Sequence, residues 1–227
     1  MTEKLPFHAH PKLPMHPPKA TVPAEPVLAM QLDGNGRYHK LSAGGTVPAE
    51  RCWLHLDYSA ESAREWLNTS PLVPDVIRHA LLGESNRPKL VKVNNGLQLT
   101  LRGINHNEGQ RPDHMVAIRF YITDQLIVST RHRRVYAVEQ VVRNLRQGLG
   151  PKSTADWLVD VCENLAEQAG DFIDELMDKI VLLEDEILEH RIPSRRELVE
   201  IRRQLIVLRR YLAPQRDVFS RLANEKI

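Results

Sequence analysis

Only two cysteines occur in 227 residues, Cys52 and Cys162, and neither sits in a CxxC or other metal spacing. This excludes a disulfide framework and a thiolate metal finger, and a reduced cytosolic compartment is the simplest setting. Aromatic residues make up only 5% of the chain, too sparse for the stacking platform of a single-strand nucleic-acid binder. No apolar run nears the roughly 18 residues that span a bilayer, and nothing near Met1 has the form of a signal peptide. Neither sign of charge dominates: 31 Lys and Arg stand against 29 Asp and Glu, a net charge of +2 that by itself names no nucleic-acid or membrane-surface partner. GxSxG, HExxH, P-loop and GxGxxG motifs are also missing, as is any short-range Cys/His/Asp cluster, so an enzyme is not expected and no cofactor is required.

What is present suffices for a core, since 42% of residues are apolar. Residues 1–26 carry seven-fold repeated proline without periodicity, from Pro6 to Pro26, and are expected to be a disordered leader. Its His8, His10 and His16 have no preorganised geometry for metal. Residues 27–150 then alternate strands with short helices. Val27 to Leu32 and Arg37 to Leu41 flank Asp33-Gly34-Asn35-Gly36, a hairpin turn signal. Cys52 to Asp57 alternates, which puts Cys52, Leu54 and Leu56 on one face of a strand and Trp53, His55 and Asp57 on the other. His55 beside Asp57 is either an acid-base pair or a satisfied structural histidine.

Helices are predicted over Ala60 to Leu67 and Pro74 to Leu82, the second with Gly83 closing its end. Two further hairpins follow, Lys89 to Val93 with Leu97 to Ile104, and Met115 to Ile122 with Leu126 to Thr130. Val135 to Leu145 reads as an amphipathic helix, and Gly148, Gly150 and Pro151 break the chain before a helical half.

That half, residues 151–227, has two arms. From Asp156 to Glu189 an apolar seam (Leu158, Val161, Leu165, Phe172, Leu176, Ile180, Leu183, Ile187) runs opposite a stripe of acids, with Lys179 the single base. After His190-Arg191-Ile192-Pro193, Ser194 and Glu197 have capping-box spacing and start a basic arm. It is laid out in sevens, each opening on arginine: RRELVEI, RRQLIVL, RRYLAPQ and RDVFSRL, from Arg195 to Leu222. Leu198, Ile201, Leu205, Leu208, Leu212, Phe219 and Leu222 form its seam, interrupted at Gln215. The rod is about 42 Å long, Pro214 is expected to bend it, and no cap ends it before Ile227, as if something were missing beyond. The two arms are expected to form an antiparallel hairpin whose arginines pair with acids across helices. The arginines alone could follow phosphates, but the acidic neighbour repels them, so nucleic acid is not expected. The fold class is α+β: an α/β/α amino-terminal domain with a hairpin-rich mixed sheet, then long antiparallel helices forming a stalk.

Gly83 to Pro88 (GESNRP), RPDHMVAIRFYITDQLIVSTR from Arg111 to Arg131, WLVDVCENL from Trp157 to Leu165, and above all RRQLIVLRRYLAPQRDVFSRL from Arg202 to Leu222 carry a resemblance. By these stretches the chain resembles the cytoplasmic domain of the ZntB branch, the zinc-transporting branch of the CorA metal-ion transporter superfamily. The resemblance implies a homopentamer in the bacterial inner membrane, this part on the cytoplasmic side, its stalk continuing into the first of two membrane helices. It implies Zn2+ as the transported or regulatory ion, moved through a pore and coupled to protons. The family's Gly-Met-Asn-type pore motif is not in the chain; Gly103-Ile104-Asn105 is similar in letters but ends a strand. The fragment alone is expected not to transport, though it could bind or sense divalent metal. Candidate ligands are Cys162 with Asp160, Glu163 and Glu167, while Cys162 also falls beside the apolar seam as a structural cysteine would. Other readings are a magnesium or cobalt CorA-type domain, or a soluble coiled-coil scaffold or sensor.

Overall fold

The computed structural model describes residues 20–84, 86–192 and 194–225. The leader's His8, His10 and His16 lie outside them. Where the leader can be described, it is ordered against the sheet. Thr21 bridges Thr46, the Val22 N–H donates to the Gly45 carbonyl at 2.8 Å, and Val22 is buried beside Ala29 and Leu54. The expected disorder therefore does not extend to residue 26, because one apolar side chain between prolines found a pocket.

Seven strands form one sheet: β1 (Leu28–Leu32), β2 (Tyr38–Lys40), β3 (Cys52–Asp57), β4 (Lys89–Val93), β5 (Gly96–Gly103), β6 (Val116–Ile122) and β7 (Leu126–Arg131). Their spatial order is β2-β1-β3-β7-β6-β5-β4. All neighbours are antiparallel except β3 and β7, which run parallel in register Leu54 to Val128. The hairpins come from turn chemistry. Asp33 Oδ1 accepts from the backbone of Asn35 at 2.7 Å and of Arg37 at 2.9 Å, and Gly34 and Gly36 take φ of 80° and 89°. In the β4–β5 hairpin the two-residue turn is Asn94-Asn95, with Asn94 at φ 53° and Gly96 already paired with Val93.

The parallel pair is the reason β3 departs from the simple reading of its alternation. It is buried along both faces up to Leu56, since a strand inside an α/β/α sandwich has no wet side. One face carries α1 (Glu61–Thr69), a 3-10 turn at Asp75–Ile77 and α2 (Arg78–Leu81), which bury Ala63, Leu67, Ile77 and Leu81 against Leu56, Tyr121 and Val128. The other carries α3 (Tyr136–Gln147) and the first half of α4 (Thr154–Leu188) over Trp53, Leu99, Ile118 and Phe120. Trp157 of α4 anchors this layer, edge-on to Trp53 at 5.1 Å and to Phe120 at 5.2 Å between ring centroids. Such pairs each add about 0.5–1.5 kcal/mol beyond burial.

The last helix, α5 (Arg195–Leu222), runs unbroken through Pro214. Its start differs from the predicted capping box: Ser194 is the N-cap but its hydroxyl bonds nothing in the first turn. The box that does form is Ser153 with Asp156 at the start of α4, where the hydroxyl accepts from the Asp156 N–H at 3.1 Å and the carboxylate accepts in return from Ser153 at the same distance.

Candidate functional site

The four predicted metal ligands all lie on α4, and the helix itself divides them. At about 100° per residue, Asp160, Glu163 and Glu167 fall within one flank, while Cys162 points well away from all three. Glu163 and Glu167 are exposed, and Cys162 packs against the core layer of Trp157 and Leu165. Its thiol lines an apolar groove of about 350 Å³ with Leu158, Val159, Phe219 and Leu222. Burial, aided by Glu163, pushes that thiol up to about 12, which opposes the thiolate a zinc ligand must be. Asp160 is also raised, by burial and by its neighbours Glu163 and Asp156. Among the described residues, no three His, Cys, Asp or Glu side chains gather as a metal site.

His55 and Asp57 do not pair. His55 is fully buried, and its Nδ1 lies 2.8 Å from Ser129 Oγ, which also accepts from Trp53 Nε1 at 2.8 Å. The Ser129 hydroxyl thus joins the indole to the imidazole Nδ1, while His55 Nε2 is buried with no partner among the described residues. Burial, reinforced by the Arg131 charge, holds its protonation down at about 3. Asp57 instead caps the following turn, accepting from the Ser59 N–H and hydroxyl. The packing supports a structural histidine and not an acid-base pair, but one held through Nδ1 alone and not fully satisfied.

The most developed arrangement joins α5 to the sheet domain. Ile201, Leu208 and Gln215, each seven residues from the next, are buried together with Val218, and Leu208 packs with Ile104, Met115, Phe172 and Leu176. Asp113, in the loop before β6, is buried and holds two arginines: Arg111 Nε at 3.1 Å and Arg203 Nη2 at 3.1 Å. Glu200 closes the ring by accepting from both Arg203 and Arg111. Tyr211 lies under the Arg102 guanidinium, 4.5 Å from ring centroid to carbon, and Gln215 bonds the Arg102 backbone.

The predicted seam thus splits. Ile201 and Leu208 turn inward, but Leu198 and Leu205 stay 45% and 42% exposed, next to Val199 and Ile206 at 58% and 59%. Among the described residues, no ion pair joins an α4 acid to an α5 arginine; Arg203 pairs with Asp113 and Glu200, and Arg216 with adjacent Asp217. The expected cross-helix ladder is replaced by a tether to the sheet, because the first half of α5 leans on the loop at 111–115.

Two functional candidates escaped the sequence reading. Arg102 and Arg119 sit in strands and line a cavity with Tyr58, His132 and Arg133. The signal available was a charge placed inside an otherwise apolar strand, as in VAIRFYI. No helix of the described residues is long and apolar enough to cross a membrane.

The chain as a whole is similar to known proteins. The zinc transport protein ZntB of Yersinia pseudotuberculosis serotype O:1b (strain IP 31758) is 49% identical over 210 residues, spanning 92% of this chain and 64% of that protein. This chain therefore covers just under two thirds of that relative's length. The structure of full-length CmaX matches with a TM-score of 0.82 at 30% identity, covering 90% of this chain and 65% of CmaX. The ZntB cytoplasmic domain from Vibrio parahaemolyticus RIMD 2210633 shares the fold, with a TM-score of 0.73 at 22% identity over 88% of this chain and 81% of that one. With residues 49–227 matched by the sequence profile of the CorA-like Mg2+ transporter proteins, the chain belongs to that family, a family of transporters and not of enzymes.

Proposed function

We propose that this chain is the soluble cytoplasmic domain of a bacterial inner-membrane zinc transporter, with five copies assembled around a common axis and zinc movement coupled to protons. The observation that carries this reading is the 49% identity to ZntB over 92% of the chain, which favours the zinc branch within the family. The shape of α5 supports it. A long helix tethered to its own domain along one edge, with a second apolar edge open, is what a stalk shared between subunits requires. In this reading residues 20–150 form the sheet domain and 151–225 the helical stalk, and the fragment supplies assembly and support while the pore lies in membrane segments outside it.

The test is ion flux through the complete transporter bearing this domain, reconstituted into vesicles. Zinc uptake that rises with an imposed pH gradient is expected. A protein that passes Mg2+ or Co2+ but not Zn2+ overturns the zinc assignment in favour of a second reading, a magnesium-type channel, to which the family's own description points.

A further inference from the structure

A cavity of about 390 Å³ opens between α3 and the carboxyl ends of β3 and β7, the pair of strands that runs parallel. The crevice outside the carboxyl ends of parallel strands is the common place for a ligand in an α/β sheet. Register sets its floor: Leu28 of β1 stands opposite His55 of β3, and Asp57, two residues on, stands opposite Arg131 of β7. His55 is fully buried with Nδ1 at Ser129 Oγ, and its Nε2 has no partner among the described residues; Arg131 Nε is likewise buried and unpartnered. Buried polar atoms are seldom left unpaired, so two of them beside one cavity mark a place where a further molecule can bond. The wall comes from α3. Val138, Val142 and Arg146 follow at four-residue spacing, with Glu139 and Arg143 in the next row, so an apolar strip and a charged one border the same opening.

The charge there is one-sided. Arg131, Arg134, Arg143 and Arg146 line the cavity with one acid, Glu139, and Arg134 already holds that carboxylate, Nε to Oε1 at 2.6 Å and Nη2 to Oε2 at 3.0 Å. Asp57 is near enough to favour the Arg131 cation, yet its Oδ1 is engaged with the Ser59 N–H and hydroxyl. Among the described residues no ion pair reaches Arg131, Arg143 or Arg146. Such a surround repels a divalent cation and favours an anion.

We propose that this cavity binds a small amphipathic organic anion, a carboxylate or phosphate carried on an apolar body such as an aromatic ring. Arg143 and Arg146 receive the anionic group at the exposed side, His55 Nε2 and Arg131 Nε offer bonds from the floor, and Leu28, Val138 and Val142 cover the apolar body. The volume falls within the roughly 300–1,000 Å³ of small-molecule sites, which admits a ring and its head group together. An inorganic ion alone would leave the apolar wall wet.

The test is an NMR titration of the amide-labelled chain with benzoate and with phenyl phosphate, beside the neutral benzamide and inorganic phosphate. Saturable shifts at one site per chain, centred on β3, β7 and α3, are expected with the aromatic anions, and the tighter of the two names the head group. Benzamide and inorganic phosphate should each bind about tenfold more weakly or worse, since each lacks one half of the recognition. Arg143→Gln combined with Arg146→Gln changes two exposed side chains, so the free chain should keep its spectrum while its affinity for the aromatic anions falls about tenfold or more. No saturation by either anion up to about 10 mM, shifts centred instead on the groove between α4 and α5, benzamide or inorganic phosphate binding as tightly as the aromatic anions, or a loss below about threefold in the double variant overturns the proposal.

Discussion

Gln215 of α5 completes the backbone hydrogen bonding of Arg102 in β5: its Oε1 accepts from the Arg102 N–H at 2.7 Å, and its Nε2 donates to the Arg102 carbonyl at 3.0 Å. The sheet explains why. Pairing of β4 with β5 begins at Lys89 opposite Thr100, whereas β6 follows β5 to Gly103, so one edge of β5 is left open past Thr100. A primary amide offers one donor and one acceptor with the spacing of a strand, and Gln215 supplies them from a position otherwise meant for leucine.

Gln215→Leu should therefore destabilise the chain although it restores the apolar seam. Two part-buried backbone groups lose their partners, at the low end of about 1–3 kcal/mol each because water reaches them in part, so a loss of about 2–3 kcal/mol is expected. Urea unfolding with an unchanged m-value reads it. A variant as stable as the parent would show that water reaches the β5 edge.

Asp113→Asn tests the tether at the other end of the contact. The carboxylate is buried, but Arg111 and Arg203 are 39% and 45% exposed, so the full cost of a broken buried pair is tempered by solvent. A loss of about 1–2 kcal/mol is expected. Amide exchange should quicken in residues 195–208 while the central strands keep their protection. Uniform loss of protection would instead mean that Asp113 serves the sheet and not the stalk.

His55 makes stability depend on pH. Its folded-state value of about 3 lies below the ordinary 6.5, so between these the unfolded chain binds a proton that the folded chain does not. Stability is full above pH 6.5 and falls as pH drops, with a slope approaching about 1.4 kcal/mol per unit. His55→Gln should flatten the profile between pH 6.5 and 5, measured by chemical denaturation, even though it lowers stability at pH 7.

Much of this architecture was readable from local chemistry. The Asp33-Gly34-Asn35-Gly36 turn, the strand at Cys52–Asp57, the Gly148 stop after α3 and both long helices were predicted near their observed places. These signals depend on neighbours in sequence. What could not be read depends on distant partners. Alternation in β3 does not reveal that a parallel β7 and a second helical layer bury Trp53 and His55 as fully as Leu54. A glutamine in a leucine seam looks like a break until the open edge of β5 is known. Serine-acid spacing marks both Ser153 and Ser194, yet only Ser153 closes a capping box. Cys162 lies near Asp160, Glu163 and Glu167 in sequence, but at about 100° per residue the helix turns it away from the flank the three acids share.

The two thiols follow from that placement. Burial pushes Cys52 up to about 11 and Cys162 up to about 12, so at pH 8 the thiolate fraction of each is about one in a thousand or less. Neither should react with a disulfide reagent in the native state on a timescale of minutes, and both should react at once in denaturant. For the same reason Cys162→Ala should leave the affinity and stoichiometry of zinc binding unchanged in a calorimetric titration. A drop in affinity would restore Cys162 as a ligand and require α4 to rotate locally to bring a carboxylate beside it.

The open edge of the stalk carries the last prediction. Leu198 and Leu205, one heptad apart, and Val199 and Ile206 beside them form two exposed rows along α5, and Leu182 of α4 is 65% exposed on the neighbouring arm. Side chains this apolar seldom line up in water without a partner, and burying the exposed half of each leucine is worth about 1 kcal/mol. Ile201 and Leu208 already satisfy the inner edge, so the outer rows are free for a second copy. Sedimentation of the chain at rising concentration should show reversible association, and Leu198→Glu combined with Leu205→Glu should abolish it while leaving the melting midpoint nearly unchanged, because neither side chain belongs to the folded core. A strict monomer at every concentration would mean that these rows are not an interface between copies of the chain.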